Sequence, residues 1–411
     1  MGKWYVFGIG LCLSCAYLCQ CTNKSGFAPG PCFYQTSTWK TADDFVHTGG
    51  AYSQANAFGS DQSGNIYSAG FGNAAIVRDW VVRKSTDHGA SWSMVDNFLL
   101  AGGNLSQANA FGSDGLGNLY AAGTGVDGGG VNYLMVRKSS DQGTSWATVG
   151  SLSYGTGANN VFTGFTADIN GNLYAVGYGV AAATNWLVYK SSDQGASWVN
   201  MDTFLCAGGN NSQANSVIGD KFGNIYVSGV CLAGGGVVNW VVRKSADHGT
   251  TWTSVDNYIY TSGNFPVSNA VTSDSSGNIY ASGYTQDGSG TNHWFVRKST
   301  NQGSSWSSVD DFVFGGGTNS ESTAIGVDLN GDIWASGFAF DSVGTKHWLA
   351  RESTNQGATW TLQDNFVYTG GTNSASLGFG MDPLGNIFAL GAGVDNFGTI
   401  HWVTRSLSCT N

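Results

Sequence analysis

Three Asp–His pairs share one spacing: Asp287 with His293, Asp341 with His347 and Asp395 with His401, each aspartate six residues before its histidine. Imidazole beside carboxylate can bind a metal ion or move a proton. Zinc, however, needs its ligand atoms to converge at about 2.0–2.2 Å. These pairs recur at steps of 54 residues, so they fall on equivalent points of separate structural units, and a turn-forming Asp with a loop-edge His is expected in place of a metal site. A second chemistry would use carboxylates alone. Hydrolysis of a glycosidic bond needs two carboxyl groups roughly 5–10 Å apart with separated pKa values. Which of the 27 acidic residues are free for that work depends on which are fixed parts of the fold.

The positioning elements repeat. The phrase Lys-Ser-x-Asp-x-Gly-x-x-Trp runs from Lys84 to Trp92, and later copies end at Trp146, Trp198, Trp252, Trp306 and Trp360, in steps of 54, 52, 54, 54 and 54 residues. A second phrase, Asp-x-x-Gly-Asn-Ile/Leu-aromatic, starts at Asp61, Asp114, Asp168, Asp220, Asp274, Asp328 and Asp382. In the first unit these turns divide four strands: A over Ser53–Asp61, B over Asn65–Gly70, C over Asp79–Ser85 and D over Trp92–Phe98. Gly and Asn at the junctions supply the positive φ of short hairpins. Four antiparallel strands in each of seven units predict an all-β, seven-bladed propeller.

The last unit lacks its Trp phrase, and the matching strand D, residues 39–45, lies at the other end of the chain. The final blade is therefore expected to combine that strand with strands A–C from residues 374–406, which removes an exposed seam. Cys32 and Cys409 bracket seven full units of 54 residues and are expected to form a disulfide clasp. Cys206 and Cys231, both on the face carrying the D–A and B–C loops, are the second expected pair.

The Ser-x-Asp-x-Gly-x-x-Trp turn resembles the Asp-box, or BNR repeat, of sialidase-like propellers. The Asp-x-x-Gly-Asn-Ile-Tyr-x-x-Gly phrase resembles SBBP-type repeats of bacterial seven-bladed propellers. Together the two cover almost all of the chain beyond its leader. The resemblance implies the fold, with Asp-boxes on the face opposite the usual ligand site. It does not carry hydrolysis with it. A sialidase needs three arginines converging on one carboxylate, whereas Arg83, Arg137, Arg243, Arg297, Arg351 and Arg405 occupy one position of strand C around the repeat. The Arg-Ile-Pro signature is absent. Strand-D acids Asp43, Asp96, Asp202, Asp256, Asp310 and Asp364 are expected to pair with these arginines across neighbouring strands. Tryptophan follows the same logic: thirteen of 15 sit at strand-C starts or C–D turns, so packing between blades explains them better than a carbohydrate platform.

Carboxylates can then be sorted by subtraction. Seven belong to A–B turns, four to Asp-boxes and six to strand D, while Asp44, Asp311, Asp332 and Glu352 stand where other units hold Asn or Lys. The remainder is Asp79, Asp127, Asp287, Asp341, Asp395 and Glu321, on or beside the D–A/B–C face. Glu321 alone is placed near the central channel, with no evident second carboxyl, and is a weak candidate for catalysis. Asp168–Asn172 and Asp328–Asp332 resemble calcium loops, leaving calcium as an option beside a prediction of no cofactor. One inner-strand position reads Asn56, Asn109, Thr163, Asn215, Asn269, Thr323 and Leu377. Drift from the shared pattern in units five to seven places a binding surface there, built on Asn269, Asp287, Glu321, Asp341 and Asp395.

Composition bounds the rest. The 411 residues include 62 Gly and 4 Pro with 11% charged residues, as short strands and tight turns require. A net charge of −10 and no basic stripe argue against nucleic acid or anionic lipid as partner. Lys3 followed by the apolar run 6–18 reads as an export leader over residues 1–21, and Leu18-Cys19-Gln20-Cys21 loosely resembles a lipobox that would lipidate Cys21. Membrane contact is expected only through such an anchor. Residues 22–411 form the propeller, whose four cysteines suit an oxidising compartment. The expected function is an exported cell-surface or envelope module that binds a protein or glycan on the D–A/B–C face without catalysis. The alternatives are a glycoside hydrolase or lyase, or a protein-assembly factor.

Overall fold

The computed structural model describes Cys32, Tyr34, residues 38–260 and residues 263–409. The expected leader and Cys21 lie outside the described residues. Among the described residues the chain is all-β, with 28 strands and a single 3-10 turn at Gly234–Gly236. Unit one runs Ser53–Ser60, Ile66–Ala74, Val77–Ser85 and Ser93–Phe98, each strand antiparallel to the next. The B–C hairpin is longer than the sequence suggested, because Asn73 and Ala74 continue the ladder to Arg78 and Val77. Ala75, at φ 55°, makes the turn.

The strand Lys40–Phe45 pairs with Ile400–Leu407, placing Phe45 opposite Trp402 and Lys40 opposite Ser406. Phe98 stands opposite Trp80 in the same way in unit one. Cys32 and Cys409 form a disulfide with Cα atoms 5.2 Å apart across a sequence separation of 377. Cys206 and Cys231 form the other, with Cα atoms 5.9 Å apart. Each strand A touches strand A of the next unit, and the strand A starting at Asn373 touches that starting at Ser53.

Burial follows the repeat. Trp80, Trp186, Trp240, Trp294, Trp348 and Trp402 are fully buried. The core clusters join consecutive units, as where Tyr67, Trp80 and Val82 of unit one meet Phe111, Leu119 and Met135 of unit two. Strand B passes close under strand A: a Cβ added at Gly70 would strike the Gln54 carbonyl.

The arginines correct one expectation. Arg83 pairs with Asp43, Arg137 with Asp96, Arg243 with Asp202, Arg297 with Asp256, Arg351 with Asp310 and Arg405 with Asp364. Each partner lies one unit back, not on the adjoining strand of the same unit. A bulge explains this. The register shift between Val82 and Arg83 sets Asp96 opposite Val82 and Met94 opposite Arg83. Residues directly opposite share a face and successive residues alternate faces. The strand-C arginine and strand-D aspartate of one sheet therefore point to opposite neighbours.

Candidate functional site

The inner strands carry a chain of hydrogen bonds between units. Asn56 Nδ2 donates to the Ala108 carbonyl, Asn109 to Phe162, Thr163 to Ala214, Asn215 to Ser268, Asn269 to Ser322 and Thr323 to Ser376. Asn269, expected in a binding surface, thus spends its amide on the joint to the next sheet, at 2.8 Å. Leu377 has no such donor, so the series stops at the last unit.

The three aspartates of units five to seven are turn residues first. Asp287 Oδ1 accepts from the backbone N–H groups of Ser289 and Thr291, Asp341 Oδ1 from Val343 and Thr345, and Asp395 Oδ1 from Phe397 and Thr399. Such Asx geometry is a standard way to close a short hairpin. The outer oxygen faces histidine, at 3.5 Å for His293, 3.2 Å for His347 and 3.4 Å for His401. On its other side each imidazole meets strand D, at Asp311, Asn365 and Asp44 respectively. These are three rim contacts in three separate units, and among the described residues they form no common cluster.

Glu321 is different. It lies at the start of strand A of unit six, and its Oε1 accepts from Asn292 Nδ2 of unit five at 2.8 Å. Burial raises its pKa above the usual carboxylate value, while Asn292 and then Lys346 work against that rise. Burial likewise lifts the Tyr284 phenol, and the Glu321 charge adds to it. Lys346 Nζ stands 3.6 Å from the centre of the Phe338 ring. The arrangement can accept a hydroxyl or hold a proton, and aromatic faces flank it. Among the described residues no carboxylate contributes to the Glu321 shift.

Sequence reasoning found Glu321 but missed Asn292, Tyr284 and Lys346. A signal existed. The residue two before the strand-C Trp, or its Leu134 equivalent, reads Arg78, Asn132, Thr184, Val238, Asn292, Lys346 and Ile400, a column that varies while its neighbours repeat. Asp127 caps its own turn through Gly129 and Val131, and Asp79 lies 3.8 Å from the buried His47.

On the opposite face the Asp-boxes behave as structural turns. Ser85 Oγ accepts from Gly89 N and donates to Asp87, whose carboxylate takes Ser91 N. Those hydrogen bonds, led by the Ser91 hydroxyl, hold Asp87 down at about 2. The loop Asp168–Asn172 spends Asp168 on its own turn, on Tyr174 and on His248. Asp328, Asp332 and Glu352 do come together, with one oxygen of each within 4.8 Å of the others. Calcium takes six to eight oxygens, and this cluster offers three side chains.

The architecture is similar to that of solved propellers. A protein of unknown function from Dyadobacter fermentans is 14% identical, with a TM-score of 0.53 over 90% of this chain and 99% of that one. An alpha-L-arabinanase of Penicillium chrysogenum, solved with arabinobiose, is 14% identical with a TM-score of 0.50 over 73% and 92%. An ulvan lyase of polysaccharide lyase family PL25 is 11% identical with a TM-score of 0.53 over 91% and 96%. At such identities the likeness is one of fold. No family model and no curated protein matches the chain.

Proposed function

We propose that the protein is an exported seven-bladed propeller that binds a glycan at the axis mouth of its loop face, without hydrolysing it. The seven-blade reading is supported by the Lys40–Phe45 strand lying on Ile400–Leu407 and by the contact between the first and last inner strands. Export is supported by two disulfides, which persist in oxidising compartments. Among the described residues no helix is long and apolar enough to cross a membrane. The observation that carries the function is Glu321, a half-buried acceptor held by Asn292 between two sheets and flanked by Tyr284. Ligand sites combine apolar and aromatic walls with a few placed polar groups.

A panel of neutral and acidic oligosaccharides titrated into the protein tests this. Binding of at least one class, weakened about tenfold by Glu321→Ala as a lost charged hydrogen bond predicts, supports the reading. A panel that gives no heat and no protection removes it, leaving a protein partner for this face. The second reading is turnover, favoured by the raised Glu321 pKa, since a general acid must hold its proton near neutrality. It is also favoured by a fold shared with an arabinanase and a lyase. Product release by the wild type that Glu321→Gln abolishes would establish it in place of simple binding.

A further inference from the structure

Arg78 and Lys346 are the two cations at the mouth end of the strands, and neither forms an ion pair among the described residues. The six strand-C arginines each have an aspartate. Lys84, Lys138, Lys190, Lys244 and Lys298 reach carbonyls of the Asp-box turns on the far face. Arg78 instead donates through Nη1 to Gln107 Oε1 at 2.8 Å and through Nε to Asn73 Oδ1 at 3.4 Å. Its guanidinium lies 4.0 Å from the centre of Phe71. Lys346 repeats the device in unit six, over Phe338 at 3.6 Å. Phe71 and Phe338 are equivalent strand-B residues, opposite Trp80 and Trp348. In a chain of net charge −10, two half-buried cations are fixed on aromatic rings. Arg78 has no carboxylate within ion-pair distance among the described residues, and Lys346 feels the Glu321 charge from beyond that distance, so both can receive negative charge.

We propose that Arg78 and Lys346 each receive an anionic group of the bound ligand, so that the ligand is an acidic oligosaccharide bearing carboxylate or sulfate groups. The inference rests on the glycan reading above and deepens it. The aromatic ring holds each cation in place by cation–π attraction, and the guanidinium fork of Arg78 matches a carboxylate or sulfate in plane. Among the described residues the side-chain hydrogen bonds of Arg78 engage Nε and Nη1, and Nη2 is available for that bond. Ile400 occupies the equivalent position on the intervening unit, so the two cations address two separate anionic groups along one chain. Burial lowers the pKa of both, with Glu321 working against it at Lys346, and an arriving anion would oppose it further.

The test is calorimetric titration of the full chain with four probes: an oligogalacturonate, a sulfated galactan oligosaccharide, a neutral arabino-oligosaccharide and polyglutamate. Each is run at low and high salt on the wild type, Arg78→Gln, Lys346→Gln, the double variant and Lys221→Gln on the far face. The expected result is preference for an acidic sugar, with roughly tenfold loss in each single variant, the scale of one charge-assisted bond. Salt dependence should be shallower in the double variant and Lys221→Gln unchanged, with melting curves showing every variant folded. The carboxylate and sulfate arms separate the two anion types. Equal affinity for the neutral sugar, undisturbed in the double variant, overturns the anion site and leaves the glycan reading standing. Polyglutamate binding as tightly as either acidic sugar, and lost in the double variant, keeps the anion site and overturns the glycan. Failure of all four probes overturns both.

Discussion

Asp332 and Glu352 show what one residue changes against a repeated background. In unit one the same two positions hold Asn65, which donates to Asp61, and Lys84, which reaches the Gln142 carbonyl. Unit six replaces both donors with acids beside Asp328. Burial, then mutual repulsion, raises Glu352 from 4.5 to about 7. Burial also raises Asp328 from 3.8 to about 6 and lifts Asp332. For an acid whose folded pKa is raised, the protonated folded state is favoured, so the stabilisation is complete below about pH 4 and is lost as pH climbs through 6 and 7. Restoring the repeat with Asp332→Asn and Glu352→Lys should stabilise the protein at pH 8 by about 1–2 kcal/mol, after discounting for solvent screening. It should do little at pH 4. Thermal melts across that range check it, and an equal gain at both ends would show that charge is not the cause.

At the scale of strands, the joint between sheets is the unit of stability. Arg137 is clamped by both oxygens of Asp96, at 2.7 and 2.8 Å, in buried surroundings. Asp96→Ala should cost about 3–5 kcal/mol, because the guanidinium is left buried and alone. One natural joint shows the alternative. Tyr189 stands where other units have Arg, and Gly150 where the preceding strand D has Asp, with Trp198 Nε1 donating to Val149 O beside it. Tyr189 packs edge-on against Phe162 at 5.8 Å. Carrying both changes into the first joint, Arg137→Tyr with Asp96→Gly, should recover most of the loss seen in Asp96→Ala. Denaturant midpoints of the single and double variants measure this coupling. Additive losses would mean that the pair is not one device. The sequence already held this clue, since Arg is missing from unit three while Asp is missing from unit two. The bulge that separates their faces has no signature in residue type, so pairing within one sheet looked equally natural.

For the whole molecule, what repeats could be read and what departs from the repeat could be read only in part. Trp80 and its equivalents, the Asp-box turns and the A–B turns are dictated by packing that is alike in every unit, so their roles follow from their period. Glu321, Asn292, Arg78 and Lys346 acquire meaning only when neighbouring sheets bring different columns of the repeat together, and residue spacing does not state which columns meet. The disulfides test how the ends are held. Cys32–Cys409 joins residues 377 apart, whereas Cys206–Cys231 joins residues 25 apart. If cross-links act mainly on the entropy of the unfolded chain, the long loop stabilises more than the short one by about 2 kcal/mol. Replacing Cys32 and Cys409 with Ser should then cost about 2–4 kcal/mol or more, and replacing Cys206 and Cys231 should cost less. The clasp also tethers Lys40–Phe45 to Ile400–Leu407, an edge that would otherwise expose unpaired backbone. Hydrogen exchange in the clasp-free variant should accordingly rise first in those two strands. Faster exchange elsewhere, with these strands still protected, would show that the sheet holds its ends without the bond.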